Sequence, residues 1–171
     1  DEALANGHAF LTMLDDEAGL DNLDNKAGQA NSQVNDTKLS SQQALNDIIA
    51  FDHVNLALDR SWGLLSHLNS VVSDEPIRAL HHALLPALSA YGTAVGQHLP
   101  LYQRYQRVVS DQAFFERLEP ARQRSLTLAL QSFELSGVGL GEAQKQQFAT
   151  LASELSTLSA KFSDNVLDAT Q

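Results

Sequence analysis

The chain has 171 residues, of which 43% are hydrophobic and 19% are charged, as expected for one globular domain with a substantial core. Its net charge of -10 at pH 7 argues against a partner among nucleic acids or anionic membrane surfaces, because both are bound by clustered Lys and Arg. The absence of cysteine excludes disulfides and thiolate metal sites, and no apolar run is long enough for a membrane span.

The first forty residues hold most of the acidity. They contain eight acidic and two basic side chains, a net charge of -6, whereas residues 41–171 contain thirteen and nine, a net charge of -4. The apolar spacing predicts one short helix over residues 1–14. Residues 15–40 are rich in Asp, Asn, Gly, Gln and Ser, which predicts an irregular link. We therefore expect an acidic, polar, partly irregular segment at residues 1–40 and a helical domain at residues 41–171.

The acidic segment also suggests a calcium-binding loop, which we tested against the EF-hand pattern. Such a loop needs glycine at its sixth position and an oxygen ligand at its first position. Counting back from Gly28 places Leu23 first, and leucine has no oxygen ligand in its side chain. We therefore expect no calcium site beside Asp21 and Asp24.

Apolar residues recur with a helical period from about Ser41 to the end of the chain. Ser40 or Ser41 is suited to cap the first long helix, because a short hydroxyl accepts hydrogen bonds from free backbone N–H groups. A second helix starts around Pro76, which acidic residues precede. Pro86 lies inside that helix and predicts a kink or a break.

Shorter helical segments follow, before the last helix. Pro100 starts one segment, a short piece contains Phe114 and Phe115, and Pro120 starts another helix. Glycines from Gly137 onward are expected to end this helix, because glycine adopts the left-handed conformation at helix C-termini.

The last helix has the cleanest pattern, with apolar residues in steps of three and four on one face. These residues are Phe148, Leu151, Leu155, Leu158, Phe162 and Val166. Such a face must pack on other helices, and we expect residues beyond Gln171 to cover part of it. The predicted architecture is all-α, an antiparallel helical bundle or a stack of helical hairpins.

The six histidines do not form a recognisable zinc motif. A zincin needs H-E-x-x-H, and no histidine here is followed by glutamate. His81 and His82 point about 100° apart on a helix, so they cannot chelate one ion from one face. His53 with Asp52 and Asp59 is a conceivable metal site supported only by proximity in sequence. We therefore predict no metal or catalytic residue in this chain.

The remaining candidate sites have simpler structural interpretations. No G-x-S-x-G motif is present, and Ser136 with Gly137 is typical of a helix end. Gly137, Gly139 and Gly141 follow no strand, which argues against a phosphate loop. Trp62 with Leu64 and Leu65 suggests an exposed binding patch, but this spacing is more often found in a helical core.

Several short blocks of the sequence form a recognisable series. The blocks are LDRSW at 58–62, SHLNSV at 66–71, LLP at 84–86, YGT at 91–93, VGQH at 95–98, LY at 101–102, FELSGVGL at 133–140 and KFSDNVLDAT at 161–170. In order and spacing, over residues 43–171, this series resembles the N-terminal region of bacterial thimet-type zinc oligopeptidases. Residues 1–42 do not share the resemblance.

This resemblance implies a nearly all-helical, cytoplasmic peptidase that cuts short peptides at internal bonds inside a channel between two lobes. The early helices would belong to the lobe that narrows access to the channel. Zinc would be held much later in such a protein, on an H-E-x-x-H helix and a downstream glutamate. No catalytic or metal-binding residue can therefore be assigned here, and the catalytic part would be a partner of this one.

Three functions remain open at this point. The first is an N-terminal part of a zinc oligopeptidase that shapes the peptide channel. The second is a stand-alone helical binding or regulatory module without zinc, which the unmatched acidic residues 1–42 motivate. The third is an unrelated enzyme with a metal site built from helical His and Asp. We also expect the isolated chain to self-associate through the last helix.

Overall fold

A computed structural model describes residues 2–27 and 39–170, and within these ranges it contains seven α-helices and no strand. This confirms the all-α prediction. The helices are α1 (Glu2–Ala27), α2 (Ser41–Val71), α3 (Glu75–Gly96), α4 (Leu99–Ser110), α5 (Gln112–Phe115), α6 (Pro120–Leu135) and α7 (Glu142–Thr170).

The predicted helix starts are confirmed and have clear local causes. The Ser40 hydroxyl accepts a hydrogen bond from the backbone N–H of Gln43 at 3.1 Å, so Ser40 caps α2. Asp74 caps α3 by accepting from the N–H of Ile77 at 3.0 Å, and proline occupies the first turn. These caps satisfy backbone donors that the helices themselves leave free.

Helix α1 is longer than the sequence predicted. Residues 15–27 were expected to belong to an irregular link, but the helix continues to Ala27. Two acidic side chains in this extension have basic partners at α4, with Asp15 beside His98 and Glu17 beside Arg104. The polar composition of this segment suggested a loop, but Asp15 and Glu17 instead contact the neighbouring helix α4. The rest of the expected link, residues 28–38, lies outside the described residues, as does Gly28 of the rejected calcium loop.

The core lies where α1, α2, α4 and α6 meet, together with the end of α3. Leu14, Leu101 and Val108 are completely buried there. The other buried apolar residues are Leu11, Ala44, Leu45, Ile48, Phe51, Tyr91, Tyr105, Leu126, Phe133 and Val138. The hydrophobic burial that stabilises the chain is therefore concentrated in these helices.

Helices α2, α3 and α7 form a layer beside this core, with α3 in contact with both others. Helix α3 is a single helix through Pro86, so the predicted break does not occur. It runs antiparallel to α7: Arg78 near its start pairs with Asp168, and Lys145 at the start of α7 donates to the Gln97 carbonyl after its end. This confirms antiparallel packing for the last helix.

The apolar stripe of α7 is turned away from α3. Leu155 is 66% exposed and Phe162 is 70% exposed, and α7 contains no buried residue. Among the described residues no other helix buries this stripe, and the expectation that residues beyond Gln171 cover part of it stays a prediction. The half-buried positions of α7 instead carry mostly small or polar side chains, namely Lys145, Phe148, Ala149, Ala152, Ser156, Ala160, Asp164 and Leu167.

Candidate functional site

A group of aromatic and imidazole rings joins α2 to α3. The Trp62 ring stacks on the His81 ring, with centroids 4.6 Å apart and planes inclined by 16°. Burial lowers the pKa of His81, and the neighbouring His82 adds to that effect. Trp62 therefore packs between helices, as predicted, but Leu64 is 61% exposed and does not belong to a core.

Ion pairs join α3 to α7 next to these rings. His82 Nε2 lies 2.6 Å from Asp164 Oδ2, and Arg78 Nη2 lies 2.7 Å from Asp168 Oδ1. The hydrogen bond from Arg78 lowers the pKa of Asp168 and favours its charged form. The sequence could not reveal these pairs, because each joins residues more than eighty positions apart.

The two adjacent histidines contact different helices, as predicted from the angle of about 100° between successive side chains on a helix. Their ring planes are inclined by 84°, one ring stacking on α2 and the other pairing with α7. They do not converge on a shared ligand, so both act in helix packing.

The candidate metal site on α2 does not form a ligand set. Burial raises the pKa of Asp52, the positive charge of His53 opposes this shift, and Asp59 reinforces it, so the three groups are within electrostatic reach. Nevertheless, nowhere in residues 2–18 and 39–170 do three or more His, Cys, Asp or Glu side chains gather as a metal site requires. These residues therefore do not fit a zinc ion, which needs at least three protein ligands.

The glycine-rich stretch after α6 is a structural turn. Gly137 has φ of +82°, a left-handed conformation that favours glycine, and Ser136 caps the helix end. The side-chain amide of Gln97 donates to the Ser136 carbonyl at 3.2 Å, which ties this turn to the end of α3. This confirms the interpretation of Ser136 and Gly137 as a helix end.

A shallow groove of about 290 Å³ lies between α3 and α7. Its lining contains no titratable side chain, so it cannot perform acid–base chemistry. The lining residues are Pro86, Ser89, Ala90, Thr93, Ala94, Gln97, Ala149 and Ser153. The groove is therefore a place where small side chains of the two helices meet.

Most of this chain matches known proteins. Residues 20–145 match the family described as Neurolysin/Thimet oligopeptidase, N-terminal domain. Oligopeptidase A of Haemophilus influenzae is 40% identical over 125 residues, which cover 73% of this chain and 18% of that protein. Oligopeptidase A of Escherichia coli is 41% identical over 117 residues, which cover 68% of this chain and 17% of that protein. The chain belongs to the neurolysin/thimet oligopeptidase family and carries its N-terminal domain.

The family match extends further toward the N-terminus than the resemblance noted in the sequence. It begins at residue 20, so part of residues 1–42 belongs to the matched domain, and it ends at residue 145 in the first turn of α7.

The chain spans less than a fifth of the length of the curated relatives it matches. The H-E-x-x-H motif is absent from its 171 residues. None of the helices described here is long and apolar enough to cross a membrane.

Proposed function

We propose that this chain is the N-terminal part of a zinc oligopeptidase that hydrolyses short peptides at internal bonds in the cytoplasm. The observation that carries the proposal is the 41% identity to Escherichia coli oligopeptidase A over 117 residues. The role of this part is to shape the channel through which peptides reach the reactive centre.

The zinc ion and the hydrolytic step belong to residues outside this chain in the proposal. Within the described ranges no suitable ligand cluster exists, and the 171 residues lack the motif that would place two imidazoles and a glutamate on one helix. What these residues contribute is a rigid wall. Long helices with capped ends and a buried core hold their exposed faces in fixed positions, and such a wall excludes substrates by size.

A chimera tests this proposal. Residues 1–171 would replace the matching N-terminal part of Escherichia coli oligopeptidase A, and cleavage of an internally quenched short peptide would be measured. We expect the chimera to retain peptidase activity, whereas residues 1–171 alone cleave nothing, with or without added zinc. A folded but inactive chimera, or zinc-dependent cleavage by residues 1–171 that survives purification, would contradict the proposal.

In isolation, residues 1–171 are expected to self-associate through α7, because the exposed stripe is large. Five side chains that are 45% to 70% exposed run along one helix: Leu151, Leu155, Leu158, Phe162 and Val166. Together they expose apolar surface on the order of 500 Å², comparable to the largest patches on monomeric proteins, which are often functional. Light scattering over a range of concentrations checks this expectation, and a monomer at every concentration would contradict it.

A further inference from the structure

The rotation of α7 about its own axis is fixed by specific contacts with α3. Arg78 and His82 hold Asp168 and Asp164 near one end of the pair. In the middle, the Ser156 hydroxyl lies 3.3 Å from that of Ser89. Small residues at the half-buried positions between these contacts let the two helices approach each other closely. A rotation of α7 that turned the apolar stripe toward α3 would break these contacts. The residues that make the contacts therefore keep the stripe exposed.

The stripe has the pattern of a helix-packing seam. The half-buried Phe148 and the exposed Leu151, Leu155, Leu158 and Phe162 follow one another in steps of three, four, three and four. This is the a and d spacing by which helices pack with interlocking side chains at a small crossing angle. A flat or extended partner would not need this spacing. The surface is therefore suited to one or more helices that carry their own apolar stripes.

The position of the family match indicates where such helices come from. The match to the N-terminal domain ends at residue 145, whereas α7 runs from Glu142 to Thr170. Almost the whole of α7 thus lies beyond the domain on which its polar face rests. The relatives are several times longer than this chain, whose matched residues cover only 17–18% of the proteins from Escherichia coli and Haemophilus influenzae.

We propose that the α7 stripe packs against helices of the part that follows the N-terminal domain in the longer proteins of this family. Helix α7 is then the joint between the two parts, with its small and polar face on α3 and its apolar face in the core of the next part. This inference rests on the proposed function and adds to it the surface on which the two parts meet. It also accounts for a helix of 29 residues that buries none of its own side chains in this chain.

The test uses two double variants in two contexts. The stripe variant carries Leu155→Gln and Leu158→Gln, and the control variant carries Thr150→Gln and Thr157→Gln at exposed positions of α7 outside the stripe. In residues 1–171 alone, at a concentration too low for self-association, we expect both variants to melt within about 2 °C of the unmodified chain, because surface substitutions have small effects. The stripe variant should also bind less of an apolar dye.

The same variants would then be placed in chimeras with the oligopeptidase A proteins of Escherichia coli and Haemophilus influenzae. We expect the stripe variant to lower the melting temperature by about 5 °C or more, because two leucines then become buried polar groups, and the control variant to leave it unchanged. Equal melting temperatures for both variants would overturn the inference, as would failure of both unmodified chimeras to fold. Melting reports on this inference separately from the proposed function, which peptidase activity tests.

A second copy of this chain is the competing occupant. In an antiparallel pair of α7 helices with this spacing, Glu154 of one copy would flank the seam opposite Lys161 of the other. Lys161→Glu should then dissociate a dimer of residues 1–171. If it does so, and the chimeras tolerate the stripe variant, the stripe is an interface between copies and the inference is overturned.

Discussion

The hydroxyl of Tyr91 on α3 donates a hydrogen bond of 2.5 Å to the side-chain oxygen of Asn55 on α2, and both residues are buried. Asn55 in turn donates through its amide nitrogen to the Phe51 carbonyl at 2.8 Å. Burial raises the pKa of Tyr91, although its hydrogen bond to Asn55 opposes the shift. The tyrosine therefore remains a neutral donor that satisfies the buried amide oxygen.

Tyr91→Phe should destabilise the chain by about 1–3 kcal/mol, because it leaves the Asn55 oxygen buried without its donor. Denaturant unfolding measures the loss. Tyr102→Phe is the matched control, since the Tyr102 hydroxyl makes its hydrogen bonds to Glu134 and Gln106 at the surface. The control should change the free energy of unfolding by less than about 0.5 kcal/mol. Equal losses in the two variants would contradict the buried pairing.

Gly7→Ala tests the close approach of α1 to the same tyrosine. A methyl group at position 7 would lie 2.6 Å from Cζ of Tyr91, which is too close for an unstrained contact. We expect a net loss of about 1–2 kcal/mol, since overpacking outweighs the gain in helix propensity.

Gly63→Ala is the control for this glycine prediction, because nothing lies within 4 Å of the added methyl group on α2. It should stabilise the chain by about 0.5–1 kcal/mol, and thermal unfolding compares the two variants. If Gly7→Ala is stabilising as well, α1 does not lie against Tyr91.

Features that depend on neighbouring residues can be predicted from this sequence, whereas contacts between distant helices cannot. Ser40, Asp74 and Gly137 act through atoms a few residues away, so their roles in capping or ending helices can be recognised without a structure. The helical extension to Ala27 depends on partners at His98 and Arg104, far along the chain. A count of polar residues cannot detect such partners.

Helix α7 illustrates the same limit at the candidate site. Its apolar period correctly predicted a helix with one continuous stripe, but two faces of that helix are suited to packing. The sequence pattern favours burial of the large side chains, whereas the contacts of Asp164 and Asp168 with α3 select the other face.

Arg104→Lys tests the ion pairs that hold α1 and α2 to α4. The buried guanidinium of Arg104 donates to Glu17 at 2.6 Å and to Asp47 at 2.8 Å, and also to the Pro100 carbonyl. Lysine keeps the charge but lacks the planar guanidinium, whose several N–H groups bind several acceptors at once. We expect a loss of about 1–3 kcal/mol in the free energy of unfolding.

The exposed Arg124→Lys is the control for Arg104 and should change that free energy by less than about 0.5 kcal/mol. Part of the effect of Arg104→Lys should persist at high salt, because the guanidinium is buried and Asp47 is mostly shielded from solvent, so their pair is screened weakly. A loss that disappears at high ionic strength would show that Arg104 acts through surface charge alone.

His98 should make stability depend on pH. Its Nδ1 atom accepts a hydrogen bond from the backbone N–H of Leu101 at 3.1 Å and so caps α4, and its Nε2 atom lies 3.1 Å from Asp15. Burial lowers the pKa of His98, and the opposing effects of Asp15 and of the Leu11 backbone do not cancel this shift. Nδ1 can accept only while it is unprotonated, so the folded state favours the neutral ring.

Because the pKa of His98 is lower in the folded chain, the unfolded chain binds more protons as the pH falls below about 6.5. Stability should therefore be highest above that pH and decline as the pH falls toward the folded-state pKa. His98→Asn keeps an acceptor for the cap but cannot be protonated, so its unfolding free energy should depend less on pH between about 7.5 and 5.5. Some dependence remains, because burial also lowers the pKa of His81. Parallel pH profiles for the variant and the unmodified chain would show that His98 does not couple protonation to the capping of α4.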